Sequence, residues 1–65
     1  MNASSMILRN RKTIETAAKS YFDLENFVSW FYRTFEADLD EEANNNRGRV
    51  RSQLETIWLA NKDKS

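Results

Sequence analysis

The chain has 65 residues, 40% of them apolar, with ten basic and ten acidic side chains. That allows one small domain and gives no net field to steer it onto nucleic acid or an anionic membrane. Cys and His are absent, which excludes disulfides, thiolate chemistry and the commonest transition-metal ligand. A domain of this size buries only about 60% of the surface its unfolded chain exposes, so the staple left to it is self-association or a partner.

Residues 1–5 read as a frayed start with no basic segment before the short apolar patch Met6-Ile7-Leu8, unlike a secretory leader. The first predicted helix spans about residues 5–20, with Ser4 or Ser5 as N-cap. Ile7, Ile14, Ala17, Ala18 and Tyr21 share one face, while Leu8 falls off it. Starting at Thr13 instead would leave the basic segment Arg9–Lys12 in a tail.

The second predicted helix, about residues 23–39, is the hub. It holds three of the four Phe residues, one Trp and one Tyr. Leu24, Phe27, Val28, Phe31 and Phe35 follow the i, i+3, i+4 rhythm of one helix face, and Leu39 extends it. Asn26, Ser29, Arg33 and Glu36 fall opposite. Strict alternation would put Phe27, Ser29, Phe31 and Arg33 on one side, which excludes a strand. Asp23, or Ser20 before it, suits the N-cap. No Gly or Pro separates this helix from the first, so capping chemistry is the only sign of a turn between them. The apolar arc from Trp30 round to Tyr32 spans roughly 200°, against the ~100° stripe of an ordinary surface helix. Either other helices of the chain cover it, or Trp30 with Thr34 and Asp38 faces a second molecule.

Residues 40–48 read as a connector, because Asn44-Asn45-Asn46 and Gly48 are poor helix formers. An acidic helical turn capped by Asp40 would open it. A third helix, about residues 49–61, buries Val50, Leu54, Ile57 and Trp58 and points Leu59 away. The polar end Asn61–Ser65 puts lysines at the negative helix terminus.

Arg47, Arg49 and Arg51 are candidate phosphate contacts, with Arg9, Arg11 and Lys12 as potential allies. On a helix, however, Arg49 points away from the other two, and Asp38, Asp40, Glu41 and Glu42 oppose them. Those acids with Asn44 and Asn46 resemble a calcium loop in composition only, since Gly and Glu are missing from its sixth and twelfth positions. They would otherwise suit basic side chains of a partner. No general base, nucleophile or phosphate loop is present, so no enzymatic activity, cofactor or metal is expected. The apolar run Phe27–Tyr32 is interrupted by Ser29 and falls far short of the ~20 residues that span a bilayer, so no membrane role is expected. The absence of Cys fits a cytoplasmic protein.

The expectation is therefore an all-α, three-helix bundle, monomeric or dimeric according to what covers Trp30. It would work as a non-enzymatic regulator or inhibitor that binds a larger protein or self-associates. Trp30, Tyr32, Arg33, Thr34 and Asp38 are its candidate contacts, because Trp, Tyr and Arg dominate interface hot spots. The rival expectations are a small nucleic-acid-binding regulator using the basic residues of the first helix and the Arg47–Arg51 segment, and a structural subunit of a larger assembly.

Overall fold

The computed structural model describes residues 2–64, and Met1 and Ser65, the outer ends of the expected frayed start and polar tail, lie outside them. Among the described residues the chain is all-α, but it is cut into five helices rather than three. These are α1 (Ala3–Arg9), α2 (Arg11–Ala18), α3 (Leu24–Phe35), α4 (Glu41–Asn45) and α5 (Arg47–Asn61), with a 3-10 turn, Glu36–Asp38, after α3.

The extra cuts have local causes. Asn10 breaks the helix expected over 5–20. Its backbone N–H and its side-chain amide both donate to the Met6 carbonyl, each at 3.0 Å. Asn46 ends α4 in a related way, donating from its side chain to the Glu42 carbonyl at 2.8 Å and from its backbone to that of Ala43. In both cases a short polar side chain offers the backbone an alternative to continued helix. The start is not frayed at Asn2: its side chain accepts from Ser5 N–H at 2.9 Å, so Asn2 rather than Ser4 or Ser5 caps α1.

The turn between α2 and α3 forms as the capping chemistry suggested. Asp23 accepts from the backbone N–H of Asn26 at 2.8 Å and from its side-chain amide at 2.9 Å. At the far end, α3 stops at Phe35 rather than running to Leu39. Glu36 and Asp38 sit there at the negative end of the helix dipole, where acids are unfavourable. The connector expected over 40–48 contains α4, capped by Asp40 through Ala43 N–H at 2.9 Å. It also contains the first two residues of α5, so Gly48 is helical, and among the described residues none has positive φ.

The core lies where α2, α3 and α5 meet. Ile14, Phe27, Phe31 and Leu54 are fully enclosed, with Ala18, Leu24, Phe35, Val50 and Ile57 around them. Phe31 and Phe35 bring their ring centroids to 5.1 Å. The short helices close the ends: α1 contributes Ala3, Met6 and Ile7, and α4 contributes Ala43. Val28, expected inside, is only half-buried at the edge of this cluster. A hydrogen bond ties α5 to the α2–α3 corner, where Trp58 Nε1–H donates to the Tyr21 carbonyl at 3.0 Å. The radius of gyration is 10.9 Å, close to the ~11 Å expected for a compact chain of this length.

Candidate functional site

The five residues expected at an interface divide between two places. Trp30 stands on the α2 side of α3. Its ring stacks on Phe27 with centroids 5.9 Å apart and planes 8° from parallel, and it meets Phe35 edge-on at 5.8 Å. It is half-buried, and its outer edge borders a shallow depression lined by Thr13, Thr16, Ala17 and Ser20 of the α2 segment, with Lys12 at its end. Trp30 is therefore part of the core's rim as well as of the surface. Thr34 and Asp38 are exposed.

Tyr32 and Arg33 belong to the other side. The Tyr32 ring meets Phe31 edge-on at 5.6 Å, and the Arg47 guanidinium carbon lies 4.2 Å from its centroid. That cation–π stack joins α3 to the start of α5. The Tyr32 hydroxyl is buried and has no hydrogen-bond partner among the described residues, an arrangement that typically costs ~1–3 kcal/mol. Burial raises the phenol's pKa above its ordinary value of 10.0, partly offset by the nearby positive charge of Arg47. Tyr32, Arg33 and Arg47 line a cleft of about 450 Å³ with Glu36, Leu39 and Asn44.

The three arginines proposed as phosphate contacts do not share a surface. Arg47 is stacked on Tyr32, and Arg51 forms an ion pair with Glu25 of α3. Arg49 faces a separate polar depression beside Asn2, Glu42 and Asn46. The four-residue spacing puts Arg47 and Arg51 on one side of α5 and turns Arg49 away. The acids at 38–42 serve different ends: Asp40 caps α4, while Asp38, Glu41 and Glu42 are exposed. Among the described residues, no three acidic side chains come together in a group able to hold a metal ion. No helix among them is long and apolar enough to cross a membrane.

A groove between α1 and α5 was not expected as a site. It encloses about 320 Å³, with Ile7 and Ile57 in its walls, Leu8 on its rim, and Ser4, Arg11, Gln53 and Thr56 around them. Leu8 is 75% exposed. Leu59, three residues beyond Thr56 on α5, is also exposed, and Phe22 is wholly so at the α2–α3 corner. Leu8 and Leu59 were visible in the sequence as apolar residues off their helices' buried stripes. That Leu8 borders a groove was not, because the approach of α1 to α5 is a tertiary contact. The sequence matches no family model, and neither a curated protein nor a solved structure matches it.

Proposed function

We propose that this chain is a non-enzymatic protein-binding module, a regulator or inhibitor that works by docking on a larger protein. The observation that carries this reading is the α1–α5 groove. Single exposed apolar side chains are ordinary on any protein. Leu8 differs because it borders a concave surface whose walls, Ile7 and Ile57, are apolar and already held by the core. Concave apolar surfaces with a few polar groups are where binding concentrates.

The groove suits an apolar side chain from the partner. The α1–α2 corner beside it carries Arg11 and Lys12 with the acid Glu15, which pairs with Arg11 at 2.9 Å and leaves the Lys12 charge over. An apolar segment flanked by acidic residues complements that surface in shape and charge. Trp30 offers a second contact at the α2–α3 seam, with exposed Thr34 one turn further along α3 and exposed Asp38 in the 3-10 turn after it, and self-association through either surface belongs to the same reading.

The test pairs Leu8→Asp with Trp30→Ala. Each is compared with the parent by affinity capture from the source cells and by sedimentation of the purified protein. Leu8→Asp should fold as the parent does, because the side chain is mostly in water, yet lose the captured partner or the self-associated form. Trp30→Ala should weaken binding too, but with a loss of folding stability, because the ring also packs on Phe27 and Phe35. Capture and molar mass unchanged by Leu8→Asp would reject the groove as the binding surface.

A further inference from the structure

We propose that the cleft between the end of α3 and the α4–α5 junction seats one carboxylate side chain of a protein partner. This rests on the reading of the chain as a protein-binding module and specifies what the partner must present at a second point, away from the α1–α5 groove.

The cleft is lined by two guanidinium groups, Arg33 and Arg47, and by the side chain of Asn44. Among the described residues, neither arginine is within ion-pair distance of a carboxylate, whereas Arg11 and Arg51 each have one. Glu36 is the only acid in the lining, so the cleft's formal charge is +1. One carboxylate neutralises it. A phosphate dianion would leave it negative and bring its charge against Glu36. Guanidinium groups favour planar carboxylates because the fork of N–H donors matches two oxygens at once.

The Tyr32 phenol adds an independent reason. Tyr32 lines this cleft, and its hydroxyl is buried with no acceptor among the described residues. Buried polar groups in native proteins nearly always have a partner. Arg47 lies over the ring face and is itself exposed, so it can swing outward on its long side chain. A carboxylate held between Arg33 and Arg47 then supplies the acceptor that the chain does not, while the Asn44 amide offers a further donor.

The experiment needs no partner protein. The whole chain, labelled with nitrogen-15, is titrated with glutamate blocked at both its amino and carboxyl termini, and separately with the equally blocked glutamine and with inorganic phosphate. The Nε–H resonances of Arg33 and Arg47 and the side-chain amide of Asn44 report directly on the cleft. Blocked glutamate should shift all three in a saturable way, with a dissociation constant on the order of millimolar, as a single side chain would give. Blocked glutamine should not. Arg33→Gln should weaken the binding about tenfold, the scale of one charge-assisted pair, while Lys64→Gln, which removes a distant charge, should leave it unchanged. Arg47→Lys keeps the charge but removes the fork, and should also weaken it.

Absence of saturable shifts up to about 50 mM glutamate, equal shifts with glutamine, or unchanged binding in Arg33→Gln would overturn the proposal. Tighter binding of phosphate than of blocked glutamate would overturn the assignment to a carboxylate. Because none of these outcomes involves Leu8 or the α1–α5 groove, failure here is distinguishable from failure of the protein-binding reading itself.

Discussion

Phe31 offers the most demanding check of how this fold is held together. Its side chain is fully enclosed at the meeting of α2, α3 and α5 and sits between two ring partners, Tyr32 at 5.6 Å and Phe35 at 5.1 Å. Truncating a buried Phe to Ala costs ~3–5 kcal/mol through lost transfer energy and the cavity left behind. Each aromatic pair adds about 0.5–1.5 kcal/mol beyond area burial, so Phe31→Ala belongs at the upper end of that range. A 65-residue domain at ordinary stability per residue holds only about 3–10 kcal/mol in total. Phe31→Ala is therefore expected to be unfolded or nearly so at 25 °C. Phe31→Leu keeps most of the volume and loses mainly the ring contacts, for ~1–2 kcal/mol. Urea unfolding followed by Trp fluorescence measures both, since Trp30 and Trp58 each pack against the core. A Phe31→Ala midpoint within experimental error of the parent would refute the placement of this face of α3 in the core.

Two further substitutions probe local features. Gly48→Ala should raise stability by about 0.4–1 kcal/mol, because Gly48 is helical without positive φ and an added Cβ meets nothing within 4 Å; a lowered melting temperature would contradict that backbone. Tyr32→Phe should leave stability at neutral pH equal or higher, since it removes a buried hydroxyl without a partner. The same variant tests the pH dependence. The folded phenol holds its proton more tightly than the unfolded one, whose pKa is near 10. Its contribution is thus fully present below pH 10 and is lost as pH rises through the higher folded value. The stability difference between parent and Tyr32→Phe should therefore change only above pH 10, to the parent's disadvantage; a change centred near neutrality would show that Tyr32 is not the titrating group.

The helical class and most of the core were legible in the sequence because they depend on local periodicity. The Leu24–Phe27–Phe31–Phe35 stripe, the buried Ile14, Ala18, Val50, Leu54 and Ile57, and the Asp23 and Asp40 caps all follow from side chains three or four residues apart. The apolar residues off those stripes, Leu8 and Leu59, were equally legible as outliers. What sequence spacing could not supply was the cut at Asn10, where a side chain chooses between solvent and the Met6 carbonyl, or the burial of Met6 and Ala43 by helices too short to stand alone. Nor could it pair Tyr32 with Arg47, Arg51 with Glu25, or α1 with α5, since each joins residues distant in the chain. Local periodicity determines which face of a helix is apolar; only the packing of the helices decides which residues on the remaining faces come together as a cleft.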